Sequence, residues 1–351
     1  MGSVVSFKEL GIDIEKVIVD SKTLTTALVR EARVIAKSTR DVVLHSYRTH
    51  TVYVGVLLEA LLDYAGKEVI PGRGGDVTGE RYSAGVICAA YTVKKVSEAA
   101  QAWFQSMILP MKTAGSTRTV EPSEAQTPLE ELEEMSAMVE PATRNGQAWL
   151  RKEVCRRENF RCVIHQEIDK EAPPEAPDPT GKRPTVTTLE VAHIVPFSLN
   201  DFVSDDNNTI LESAVTWVMI KHWTAISIQE LIGEGINEPA NAILFCANGH
   251  KQFGDFSVHF EPTDVEHCYV TSSQFDEFDN INVDFRSNSG IPPPDPRYLA
   301  LHAAFAKVLF ASGAGEYIER YYRDQAELGV LASDGSTDVS ILLSRLYIIG
   351  L

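Results

Sequence analysis

Basic residues are in short supply in this chain. Lys and Arg number 32 against 49 Asp and Glu, a formal net charge of −17 over 351 residues. Affinity for duplex nucleic acid rests largely on neutralising phosphates with Lys and Arg. A basic surface spread over the whole protein is therefore excluded, and any phosphate contact has to be local. Cysteine is scarce as well. Five, odd in number and widely scattered, do not make a disulfide framework, and a reducing cytosol or nucleus is the expected compartment. No run of about 18 apolar residues occurs, so no membrane span is expected. Met1–Leu10 lacks the apolar core of a secretory signal, so secretion is not expected either. There is no Gly-x-Ser-x-Gly. The turn-rich Pro71-Gly72-Arg73-Gly74-Gly75-Asp76 lacks the Gly-Lys-Ser/Thr ending of a phosphate loop, and the glycines make no dinucleotide fingerprint.

What is present is a globular composition, 44% apolar and 23% charged, on a length that suits one large or two moderate domains. In Ser21–Ser38, Leu24, Leu28, Ala32 and Ile35 recur at helical spacing. Val54, Leu57, Leu58, Leu61 and Leu62 repeat the pattern in Thr51–Ala65, with Gly66 placed to end that helix. A further long helix is expected from about Tyr82 to Met107. Residues 1–112 thus read as a helical N-terminal domain without visible chemistry. Residues 113–146 form an acidic linker: Thr113–Pro128 is polar, and Thr127-Pro128 opens a short Glu-rich helix whose plain reading is a solvated face.

Trp149–Asn159 has the spacing of a helix with an apolar side, Trp149, Val154 and Cys155, and a basic one. Five cationic residues lie between Arg151 and Arg161 against Glu153 and Glu158. This local cluster makes Arg156, Arg157 and Arg161 candidate phosphate contacts; the alternative is ordinary surface arginines paired with the acidic linker. Cys162–Gln166 reads as a strand. The Pro-rich stretch 169–188 reads as a mobile hairpin insertion, with Thr187–Val195 as the partner strand. Residues 198–238 form a second insertion with a helix through Thr209–His222. Ala242–Cys246 is a strand, Asn248–Phe253 a short helix, and Phe256–Phe260 and Asn282–Phe285 further strands. Helices are expected next over Pro296–Ala311, ended by Gly313, and Glu316–Leu328.

The order of Leu189-Glu190-Val191-Ala192-His193-Ile194, then Asn241 opening a second strand, then His250 on the next helix resembles the HNH nuclease motif. Arg156–Ile164 resembles its lead-in. The tail around Leu299–Gly313 and Glu316–Asp324 is similar to the segment C-terminal to this module in a fungal group of HNH-domain proteins. The resemblance covers about the last two thirds of the chain. It implies an α+β fold: a ββα-metal core over residues 147–290, with insertions at 169–188 and 198–238, between the helical N-terminal domain and a helical C-terminal extension over 291–351.

The resemblance also implies roles. His193 would be the general base on a DNA phosphodiester, Asn241 would brace the loop that positions it, and His250 would ligate a divalent ion such as Mg²⁺. The second metal ligand of such nucleases stands immediately before the base; here that position is Ala192, which has no donor. Asp255 is the candidate replacement, and Glu190 also offers a carboxylate. Many HNH modules are clipped by zinc on two Cys-x-x-Cys pairs. Cys162 with His165, and Cys246 with Gly249 in the last position, leave three zinc donors. The plainer alternative, that Cys162 and Cys246 are small core residues, stays open. His45, His50, His222, His259, His267 and His302 lack partner spacing and read as surface or hydrogen-bonded core.

Three functions compete: a metal-dependent endonuclease with DNA as partner, an enzyme of small-molecule (secondary-metabolite) biosynthesis using His193 as acid or base, and an inactive interaction module. The face around His193 discriminates: open and positive for a nuclease, closed and apolar for a small-molecule enzyme.

Overall fold

The structure is a computed structural model that describes residues 14–19, 22–70, 77–113, 129–173, 185–202, 206–287 and 289–327. The N-terminal part runs α1 (Ile14–Val19), α2 (Thr25–Ser38), β1 (Val43–Tyr47), β2 (His50–Tyr53), α3 (Val54–Tyr64), α4 (Gly79–Ala89), α5 (Val93–Trp103), a π-helical turn (Phe104–Ile108) and α6 (Leu109–Thr113). The expected Leu28 and Ala32 face of α2 is buried, as are Leu57, Leu58, Leu61 and Leu62 of α3. The antiparallel hairpin β1–β2 stands where helix was expected from Thr51, with Arg48 at φ 53° in its turn. The single helix expected over Tyr82–Met107 is two, because Thr92 caps α5 by accepting the Lys95 N–H and so sets a new helix start. Gly66 lies beyond the end of α3 for a different reason than a cap. Its N–H donates to the Trp223 carbonyl (2.8 Å), and a Cβ there would stand 2.2 Å from the Thr224 carbonyl oxygen.

Next come α7 (Leu129–Met138), which is the Glu-rich helix, and α8 (Arg144–Arg157). The expected linker 114–128 and the insertion tip 174–184 lie outside the described residues. Cys162–Gln166 is not a strand. It is a turn closed by the Gln166 N–H on the Cys162 carbonyl (3.0 Å), with Gln166 at φ 61°. A short parallel pair comes after it, β3 (Ile168–Asp169) with β4 (Val186–Thr187). Asp169 fixes the start of the next strand by accepting the Leu189 N–H (2.9 Å) and the Arg151 guanidinium (3.0 Å).

The centre of the fold is β5 (Leu189–His193) paired antiparallel with β6 (Ala242–Cys246), in a register that sets Leu189 opposite Cys246 and His193 opposite Ala242. All five residues of β6 are buried, and its unbroken apolar run is what a strand covered on both faces requires. On one side lies α8; on the other is α10 (Ala247–Gly254), which starts directly from β6 and lays Phe253 on Phe245 (ring centroids 5.1 Å). Between the two strands the chain makes an excursion through α9 (Asn207–Thr224). This helix is buried nearly all round and ends at Ala225 in the left-handed region. It ties the N-terminal helices to the module: Trp223 is fully buried and donates its indole N–H to the Leu61 carbonyl (2.9 Å). One hydrophobic core therefore runs across the boundary at residue 112.

After α10 an antiparallel sheet is formed by β7 (Val258–Pro262), β8 (Cys268–Ser273) and β9 (Asn282–Asp284). Then come α11 (Pro296–Ser312) and α12 (Ala314–Glu327). The bounds of α11 arise from local chemistry: Asp295 accepts the Arg297 N–H, Pro296 takes the first turn, and Gly313 ends the helix at φ 70°. The elements described are α+β, with small sheets between helices.

Candidate functional site

His193 stands at the end of β5, half-buried, and lines a cavity of about 800 Å³ together with His250 of α10. The ββα unit thus brings the two histidines to one space. Asn241 is fully buried and does not face it. Its Oδ1 accepts the Val195 N–H (2.8 Å), and its Nδ2 donates to the carbonyls of Val195 and Ile236 (3.0 Å each). Its own carbonyl accepts the Ile194 N–H (2.9 Å). Asn241 thus clamps the segment just after His193 to the turn before β6.

A residue without a sequence signal orients His193. The ring Nε2 is 3.1 Å from Asn237 Oδ1. Asn237 Nδ2 is committed to the Glu234 carboxylate (3.0 Å) and the Thr143 carbonyl (3.3 Å), both acceptors only. The amide must therefore turn its oxygen to the ring, so Nε2 carries the proton and Nδ1 is the unprotonated nitrogen. Burial pushes the His193 pKa below 6.5; the Asn237 bond pulls it back up, and charge on His250 pushes it down. His193 is therefore a neutral base near pH 7. Phe197 packs on its ring at 5.7 Å between centroids.

His250 turns Nδ1 to Glu190 (3.3 Å). Asp255, the candidate second metal ligand, is held by Lys251, whose Nζ is 3.1 Å from Oδ2, while Lys112 Nζ stands 4.0 Å from Oδ1, beyond hydrogen-bond distance. Among the described residues, His250, Glu190 and Asp255 belong to no group of three or more metal-ligating side chains. The residues present do not fit a divalent ion held by His250 and Asp255, because the carboxylate is already neutralised and Ala192 supplies nothing.

The candidate phosphate arginines need correction. Arg157 has no exposed side chain and spends its guanidinium on Glu158 (2.8 Å) and the carbonyls of Pro239, Pro292 and Ala242 (2.6, 2.9 and 2.5 Å). Arg161 is 4% exposed and donates to the Gln166 carbonyl (3.0 Å). Arg156 alone of the three is exposed, paired with Glu153 at 3.0 Å. The basic look of the cluster comes from arginines that hold the module together.

The module's second centre lies at the other end of the β5–β6 pair. Cys162, His165, Glu167 and Cys246 each direct a donor atom to a common point, all within 4.8 Å of one another. Tetrahedral zinc spaces thiolate, imidazole and carboxylate donors about 3.3–3.8 Å apart, so small side-chain adjustments close the set. Cys246 Sγ is 3.6 Å from His165 Nδ1 and also accepts the Gly249 N–H at 3.5 Å, capping α10. The Cys162 and Cys246 thiols share a hydrogen bond that pulls Cys162 below its usual range and pushes Cys246 above it, so one proton is shared between two thiols that a metal would take as thiolates. Glu167 Oε2 is buried without a hydrogen-bond partner, and such a group calls for an explanation such as an ion. Glu167 is the fourth donor that the sequence pattern missed, because the turn at Cys162–Gln166, read as strand, is what brings it round. The residues fit zinc.

His302 of α11 gives no sequence signal of a site either. It is 2% exposed, sandwiched between Phe253 and Phe256 (ring centroids 3.9 and 4.5 Å), hydrogen-bonded to the Phe253 carbonyl (3.0 Å), and at the wall of the same cavity. Burial pushes its pKa down to about 3.

Two antiparallel strands and a helix, a histidine at the end of the first strand, an asparagine clamping the second and a histidine on the helix form a ββα module. A sequence model of the family described as HNH endonuclease matches residues 162–261, under a third of the chain, starting at Cys162 and covering His193, Asn241 and His250. No curated protein and no solved structure matches the chain.

Proposed function

We propose that the chain is a nuclease-type hydrolase of phosphodiesters, DNA being the substrate class its HNH module suggests, with His193 as general base. The observation that carries this is the convergence of His193 and His250 on one cavity, with His193 held in a defined tautomer by Asn237. In the reaction His193 Nδ1 takes a proton from water, the water oxygen bonds to phosphorus, and the bond to the departing ester oxygen breaks with its electron pair. That oxygen then takes a proton, which protonated His193 can return. No step is routed through a metal at His250 and Asp255.

Asn237→Ala tests the tautomer. The Asn237 bond raises the His193 pKa, so its loss should move the acid limb of the pH–rate profile to lower pH. The maximal rate should fall by about tenfold as the ring loses its fixed orientation. A lower rate with an unmoved limb would reduce Asn237 to a structural residue.

At the second centre Cys162, His165, Glu167 and Cys246 would hold zinc, which supplies a cross-link between the turn and the start of α10 rather than chemistry on the substrate. Purified protein should contain zinc, and chelation or Cys162→Ser should lower Tm by several degrees. An unchanged Tm in metal-free protein would leave Cys162 and Cys246 as ordinary core residues.

A second reading, small-molecule chemistry at His193, is favoured by the walls of the cavity. Met111 of α6 and Ile318 of α12 line it from outside the module, Val191 and Phe197 add apolar surface, and its Arg323 is paired with Glu319. Supercoiled plasmid and a p-nitrophenyl phosphodiester, assayed in parallel, separate the readings: cleavage of the plasmid supports DNA, and turnover of the small ester alone supports the second.

A further inference from the structure

Lys112 sits in the last helical turn of α6, fifty residues before the matched module begins, yet it enters the module's cavity. Its side chain is 6% exposed. An ammonium has three N–H donors. Among the described residues, Lys112 has one hydrogen-bond acceptor, the Asp255 carbonyl at the end of α10 (2.7 Å), while the nearest carboxylate oxygen, Asp255 Oδ1, is 4.0 Å away. The other cations of the cavity are exposed and paired with a carboxylate: Lys251 lies 3.1 Å from Asp255 Oδ2, and Arg323 is bound to Glu319. A buried cation with unmade hydrogen bonds is costly, and here it borders an open space that also holds His193 and His250.

We propose that Lys112 is a substrate-binding residue of this cavity, whose ammonium receives an oxyanion of phosphate size. The inference rests on the reading of the His193 cavity as the reaction site. It gives that site the positive charge that Ala192 and the lysine-bound Asp255 do not recruit as a metal. A non-bridging phosphate oxygen seated on Lys112 would lie in the same cavity as the base at His193 and would have its growing charge neutralised as water adds. The nuclease module is then completed by the N-terminal helices, which explains why one core joins them.

The test is isothermal titration of the full chain with inorganic phosphate in the presence of chelator. Wild type and His193→Ala should bind; Lys112→Met should bind at least about tenfold more weakly, the loss of one charged hydrogen bond; Lys112→Arg should keep most of the affinity. A purely structural Lys112, capping the end of α10, would lower Tm on substitution and leave phosphate binding unchanged, and that result overturns the proposal. So does the absence of phosphate binding in wild type. Where Lys112→Met does not fold, ¹⁵N-lysine labelling of wild type and Lys112→Arg decides: the Lys112 ammonium signal should shift on saturation with phosphate, and a signal that stays put contradicts the seat. Lys112-dependent phosphate binding together with undiminished hydrolysis by His193→Ala would sustain the seat while removing the reaction assigned to it. A single-stranded oligonucleotide and a mononucleotide, titrated alongside, tell a nucleic-acid phosphate from a small-molecule one.

Discussion

Replacing His193 by Ala should cost at least about a hundredfold in hydrolysis rate while leaving the fold intact. The side chain makes one hydrogen bond, to Asn237, and stacks loosely on Phe197. The strand that carries it is held by its pairing with β6 and by the Asn241 clamp, neither of which uses the imidazole. Its removal therefore takes away the proton acceptor without taking away a support. Burial holds the ring pKa below 6.5, so the wild-type rate should stay on its plateau through neutral pH and fall only at more acidic pH, as the ring gains its proton. His193→Ala should lose this limb along with the rate. The check is a pH–rate profile of both proteins, with circular dichroism and Tm compared. Unaltered activity in folded His193→Ala would remove both enzymatic readings of the cavity.

Arg157→Met should be the most destabilising single change in the module, about 3–5 kcal/mol, because it strips the partner from a buried charge network. It orphans the carbonyls of Pro239, Pro292 and Ala242 and leaves the Glu158 carboxylate buried and unpaired. Ala242 is the residue opposite His193, and Pro239 opens the turn that carries Asn241, so the damage reaches the base through the strand pair. The change also carries a pH signature. Burial already raises the Glu158 pKa above 4.5, with Arg157 opposing it. Without Arg157 the folded pKa rises further, so the folded state binds a proton that the unfolded chain gives up. The variant's loss of stability relative to wild type should then be smallest at acidic pH and grow as pH rises through that elevated pKa. Urea denaturation of both proteins at acidic and neutral pH measures this. A loss under about 1 kcal/mol, typical of an exposed pair, would show the network to be dispensable.

Where neighbouring residues decide a structure, the sequence was readable. The extents of β5 and β6, the helix carrying His250, and α11 from Pro296 to its end at Gly313 follow from apolar runs, a first-turn proline and glycine placement, whereas Thr187–Val195 was expected to pair with Cys162–Gln166 and pairs with β6 instead. His193 and His250 could be picked out because the segments that carry them resemble the HNH motif. What was not readable depends on contacts distant in sequence. Arg157 and Arg161 look like surface cations beside acidic neighbours, and only the chain folding back over residues 239–242 and 292 buries Arg157. Asn237 lies in an insertion with no periodicity, and Lys112 in a helix that reads as part of another unit. Glu167 reaches the cysteine cluster through a turn with Gln166 at φ 61°, a conformation that no glycine announces. The hairpin β1–β2 was hidden by the strong helical pattern that begins at Val54.

In the proposed reaction one neutral histidine, oriented by Asn237 in a cavity lined by α6, α10 and α12, draws a proton from water to break a phosphodiester. The most direct measurement is the pH–rate profile for cleavage of supercoiled plasmid and a p-nitrophenyl phosphodiester by the wild-type protein, across the range in which imidazole titrates. Turnover of at least one of the two is expected, rising along a single acid limb with its midpoint below 6.5. No cleavage of either ester at any pH, or a profile with no such limb, would contradict it.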